Sequence, residues 1–180
     1  HVSDTFKNGL SIVANNEEDQ EIYSSITDAN NFDSLMQAVE AKLFLLEQLY
    51  IKAYWSEELQ NVKFEVILPH FVDVIPSVQD SHKIGTIIYP SNYSDAYSVL
   101  QPIPPYNCYT ASTYELVNES GSPVKTGDTP VGTPEGNSNP YGVVPIVVLR
   151  KKFPTEPDFF YWPGTELIDS QDILNWMLTE

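Results

Sequence analysis

Four short runs rich in β-branched and aromatic residues follow one another between residues 49 and 89, with only turns between them. They are 49–55 (LYIKAYW), 62–68 (VKFEVIL), 71–75 (FVDVI) and 84–89 (IGTIIY). The second alternates over 62–66, as a half-buried strand does. A polar stretch at 56–61, Pro69 and a loop at 76–83 punctuate the series. Strands that succeed one another without helices between them argue for an α+β fold with a mainly antiparallel sheet.

Helices are expected on either side of this block. In 32–50, Phe32, Leu35, Met36, Val39, Leu43, Leu46 and Leu49 or Tyr50 recur at three- and four-residue steps, the spacing of one helical face. Asn30 or Asn31 can cap it. In 165–180, Leu167, Ile168, Ile173, Leu174, Trp176 and Met177 share a face, with Thr165 as cap. That helix should run on beyond Glu180, as in a piece of a longer chain. Further strands are expected at 106–110 and 113–117. Another, buried, is expected at 143–149, where Pro145 places it near an edge or at a strand start. Residues 121–142 hold five of the eight glycines and read as a flexible loop. The domain reading is an acidic N-terminal segment at 1–30 followed by a single α+β domain at 31–180. The charge run Glu17–Glu21 is a solvated loop or helix end.

Charge decides partners before it decides fold. Twenty-five acidic residues against nine basic ones give a formal charge of −16, and Arg150, Lys151 and Lys152 form the one basic cluster. Nucleic-acid affinity comes from neutralising phosphates with Lys and Arg, so this chain should repel DNA rather than hold it. An anionic membrane surface is disfavoured for the same reason, and no apolar run is long enough to span a bilayer. Eight Phe, eleven Tyr and three Trp are too many for a disordered chain.

The sequence carries no strong catalytic motif: no phosphate-cradling glycine loop, no nucleophile elbow, no zinc-protease helix. Cys108 with His70 or His82 could pair a nucleophile with a base, but a half-buried strand cysteine is the simpler reading. His70, His82, Asp73 and Asp80 have metal-binding chemistry without a recognisable spacing. No catalytic, cofactor or metal residue is therefore assigned. Two alternatives stay open. One is a glycan- or receptor-binding module using the tyrosine-rich stretch 89–114. The other is a hydrolase using paired carboxylates.

One segment is more specific. Asn139-Pro140-Tyr141-Gly142-Val143-Val144-Pro145-Ile146-Val147 resembles the NPxGxxPfv segment of tailed-bacteriophage portal proteins. In that family it is followed by a glycine, a polar residue and a helix with the pattern carried here by Gly164, Glu166, Leu167, Asp169, Gln171, Asn175, Thr179 and Glu180. Upstream, a helix entering a strand with Tyr54-Trp55, then His70-Phe71-Val72-Asp73-Val74-Ile75-Pro76, is similar to the same family's pattern. The resemblance spans most of 30–180. It implies the wing region of a portal: a structural subunit, not an enzyme, of a ring that is commonly dodecameric. DNA passes such a ring during packaging and ejection without being held tightly. Its implied partners are neighbouring copies, the terminase, the capsid and tail or adaptor proteins; its implied location is the virion, and the host cytoplasm during assembly. The residues expected to matter act by packing. Pro140, Gly142 and Pro145 set the entry into a strand, and Gly164, Leu167, Ile168, Leu174 and Trp176 set and dock the last helix.

Overall fold

The computed structural model describes residues 13–91, 105–124, 138–151 and 160. They form two helices, α1 (Glu17–Ala29) and α2 (Phe32–Leu46), and seven strands. The strands are β1 (Gln48–Ser56), β2 (Asn61–Ile67), β3 (Asp73–Pro76), β4 (Ile84–Pro90), β5 (Tyr106–Thr110), β6 (Tyr114–Val117) and β7 (Ile146–Arg150). Every pairing is antiparallel, so the α+β reading holds. The expected helix at 165–180, with Gly164, Leu167, Ile168, Leu174 and Trp176, lies outside the described residues. No described helix is long and apolar enough to cross a membrane.

The chain divides into two compact units, crossing from one to the other after Pro69 and back at Ile146. The first unit holds α1, α2 and a sheet in the order β2-β1-β7. Its core is Leu49, Tyr50, Ile67, Ile146 and Val39. Strand β1 is central because both its edges are paired: Tyr50 lies opposite Ile67 on one side and Val148 on the other. The expected helical stripe does face inward. Phe32, Leu35, Met36, Val39, Leu43 and Leu46 are buried or half-buried, while Phe44 and Leu45 between them are exposed.

The helix stops earlier than its apolar spacing suggests. Glu47 takes a left-handed conformation (φ 61°) and its N–H closes on the Leu43 carbonyl. Leu49 and Tyr50, which fit the helical stripe, are instead buried in β1. Two flanking strands supply ladder bonds there, and this tertiary pairing overrides local periodicity. At the N-terminus Asn31 is itself left-handed and makes no side-chain cap bond. The acidic run opens a true helix: Asn16 caps α1 by accepting from the Asp19 N–H at 2.7 Å. Glu17, Glu18 and Asp19 fill its first turn, where carboxylates complement the helix dipole.

The second unit is the meander β3-β4-β5-β6. Ile87, Tyr89, Tyr109 and Val117 form its core. The strand expected at 71–75 starts two residues later, because Pro69–Phe71 winds into a 3₁₀ turn. Residues 121–124 and 138–142, the two ends of the expected flexible loop, are held. Val124 N–H donates to Leu116 O at 2.7 Å, and Thr113 bridges Ser138. The strand expected at 143–149 begins at Ile146 and is largely half-buried, with Val147 exposed, rather than buried. It does lie at a sheet edge. Pro145 has no N–H to give a ladder, and the Val143 carbonyl is engaged elsewhere.

Candidate functional site

That engagement belongs to a densely bonded turn of the second unit, centred on Asn139. Asn139 is 5% exposed. Its Nδ2 donates to the carbonyls of Thr110 and Val143, each at 2.8 Å. Its Oδ1 accepts from the Tyr141 N–H at 3.0 Å, and its own N–H donates to the Ser112 carbonyl at 2.9 Å. Two carbonyls and one N–H around a carboxamide fix its orientation without ambiguity. An asparagine whose side chain bonds two residues ahead makes an Asx turn. Gly142 then turns the chain at φ +65°, and its N–H reaches back to the Asn139 carbonyl at 3.3 Å.

The receiving surface is the connection between β5 and β6. Thr110 Oγ1 accepts from the N–H of Ser112 at 3.2 Å and of Thr113 at 2.8 Å. Thr110 N–H donates to Thr113 O at 2.9 Å. A turn braced by its own threonine thus presents two carbonyls, Thr110 and Ser112, to Asn139. Of the packing residues chosen from sequence, Pro140 and Gly142 form this turn and Pro145 stands directly before β7. Asn139, which does most of the bonding, lies within the same motif, but the packing residues expected from sequence do not include it. Its partners lie 27 and 29 residues upstream, and nothing local in the sequence points to them.

The same meander carries a row of tyrosines. The rings of Tyr89 and Tyr109 are nearly parallel at 6.3 Å between centroids, and those of Tyr109 and Tyr114 lie 4.3 Å apart. Tyr114 O–H donates to Asn107 Oδ1 at 2.9 Å. Tyr89 and Tyr109 are buried, so these two rings offer no platform for a sugar. Burial pushes the phenol pKa of Tyr109 and of Tyr114 upward. The fold therefore holds those protons more tightly than the unfolded chain does. From the ordinary tyrosine value of about 10 upward, the unfolded chain loses its protons first and stability must fall. Thermal unfolding should show a midpoint that drops above about pH 10, and the part of the tyrosinate absorbance that Tyr109→Phe with Tyr114→Phe removes should appear together with unfolding rather than before it. That part appearing in the folded protein at about pH 10 would contradict the burial argument.

The other residues weighed for chemistry are scattered. Cys108 on β5 faces Glu115 across the ladder; burial, then that carboxylate, push its thiol pKa up, the reverse of an activated nucleophile. Asp80 accepts from the His82 N–H at 3.0 Å and pairs with Lys83 at 3.5 Å within the β3–β4 loop. That backbone bond, before the Lys83 charge, holds its carboxyl below the ordinary value. Among the described residues no group of three His, Cys, Asp or Glu could hold a metal ion.

No protein-family model matches the chain, and no characterised protein matches it in sequence.

Proposed function

We propose that this chain is the wing region of a tailed-phage portal subunit, a non-enzymatic part of the ring through which DNA is packaged and ejected. The observation that carries the reading is the Asn139-Pro140-Tyr141-Gly142 turn. The residues through which the sequence resembles portal proteins have distinct physical jobs. Asn139 ties the turn to the β5–β6 connection, Gly142 supplies the positive φ, and Pro145 ends the loop one residue before β7. A formal charge of −16 suits a conduit: phosphate repulsion keeps passing DNA mobile. On this reading the partners are neighbouring copies, terminase, capsid and tail or adaptor proteins. The location is the virion, reached by assembly in the host cytoplasm.

Light scattering and electron microscopy of the full-length gene product test the proposal. A closed ring of about a dozen copies with a central channel is the expected result, from cyclic head-to-tail contacts. A protein that stays monomeric at high concentration overturns it.

A further inference from the structure

Helix α1 is attached to the first sheet in an unusual way. None of its residues is fully buried, and hydrogen bonds tie its C-terminal end to β2. Asn30, just past its end, donates from Nδ2 to the Val62 carbonyl at 2.8 Å and accepts at Oδ1 from the Phe64 N–H at 3.1 Å. Lys63 Nζ donates to the Ala29 carbonyl at 2.7 Å, and Asn61 Nδ2 to Ser25 Oγ at 3.2 Å.

The Asn30 pair has a specific meaning. Strand β2 is at the end of the order β2-β1-β7. In an antiparallel ladder, residues alternate between exchanging both backbone bonds with a neighbour and pointing both groups away. Val62 O and Phe64 N are occupied by Asn30, so residues 62, 64 and 66 point their backbone groups to the outer edge. An antiparallel strand added at this edge would meet the same two groups with the N–H of one of its residues and the C=O of another, two positions away. The Asn30 carboxamide satisfies both from a single side chain.

We propose that Asn30 is a plug on the outer edge of β2, and that the strand it excludes is β2 of a second copy. The sequence of this edge is self-complementary. Antiparallel pairing centred on Phe64 sets Phe64 opposite Phe64 and Val62 opposite Val66, all residues with outward backbone groups. It also sets Lys63 opposite Glu65 twice, an opposite-charge cross-strand pair. Unblocked edges of this kind are sites of strand addition. Such a two-fold contact closes on itself as a dimer and cannot propagate a ring. The inference does not depend on the portal reading, since it concerns one edge of one sheet.

Amide hydrogen exchange and light scattering on the 180-residue chain test it. In the wild type the Phe64 N–H should exchange at least tenfold more slowly than an open amide, although it faces away from β1. Asn30→Ala should accelerate Phe64 tenfold or more while Lys63 and Glu65, bonded to β1, change less than twofold. The variant should form a concentration-dependent dimer, and adding Lys63→Glu, which sets like charges opposite each other, should return it to monomer. Fast Phe64 exchange in the wild type overturns the plug, whether or not any variant folds. So does equal acceleration at 63, 64 and 65. An Asn30→Ala protein that stays monomeric, or a dimer indifferent to Lys63→Glu, overturns the self-pairing.

Discussion

Asn139→Asp will destabilise the protein more than Asn139→Ala, although aspartate is closer in shape. If Asn139 served only as the first residue of an Asx turn, aspartate would replace it well, because that motif needs just the side-chain oxygen. Here the oxygen accepts from Tyr141 N–H, but the amide nitrogen donates to two carbonyls, Thr110 and Val143. Alanine deletes three bonds at a buried position, which costs roughly 3 kcal/mol at about 1 kcal/mol each. A carboxylate puts a second negative oxygen against two carbonyl oxygens, so the loss should exceed that figure, since buried charges without donors are the costlier case. The pH dependence separates the two variants. The introduced carboxyl would have its pKa raised in the fold, so stability is retained at low pH and lost as pH rises through the unfolded carboxylate value of about 3.9. Urea midpoints between pH 3 and 7 should therefore fall for Asn139→Asp relative to Asn139→Ala. Equal midpoints for the two variants at pH 7 would overturn this, because the carboxylate would then cost nothing beyond the bonds that alanine also loses.

The physical origin of this site explains which parts of it the sequence could reveal. Strand positions in β1, β2, β4 and β5 follow from local alternation and β-branching, and the structure places all four within two residues of the expectation. Gly142 and Pro145 are legible because their backbone restrictions act wherever they stand. Asn139 is different: its value lies in carbonyls contributed by the β5–β6 connection, and only the meander brings them together. The end of α2 is the same kind of case. Leu49 and Tyr50 satisfy helical spacing and strand burial equally, and pairing with Leu149 and Val148 on β7, about 100 residues downstream, decides between them. By position alone Asn30 is a candidate cap for α2. Its actual partners are backbone groups of a strand 32 and 34 residues away.

Gly85→Val will unfold the second unit at lower denaturant than wild type, against the usual direction of such a change. Glycine within a strand normally weakens it, and a β-branched replacement gains up to about 1 kcal/mol. Gly85 is an exception because of register. Ile75 pairs with Thr86 and Pro76 pairs with Ile84, which leaves Gly85 as the extra residue of a β-bulge. At that point the backbone of β3 closes over it. A Cβ added there would lie 2.9 Å from the Pro76 carbonyl oxygen, and 3.0 Å from both the Pro76 carbonyl carbon and the Ser77 Cα. All three are backbone atoms, so no side-chain rotation relieves the contact. Either the bulge opens or β3 moves off β4, and overpacking of this kind costs roughly 1–3 kcal/mol. Alanine already carries the offending atom, so Gly85→Ala should fall between wild type and Gly85→Val. Urea midpoints give the order, and exchange of the Thr86 and Ile88 amides, which face β3 in the ladder, should accelerate first, because β3 is the edge strand that would yield. An alanine variant as stable as wild type would mean that the close approach relaxes freely. The bulge would then have no need of glycine, and the β3–β4 register would rest on Pro76 and the Ser77–Lys83 loop closure at 2.8 Å alone.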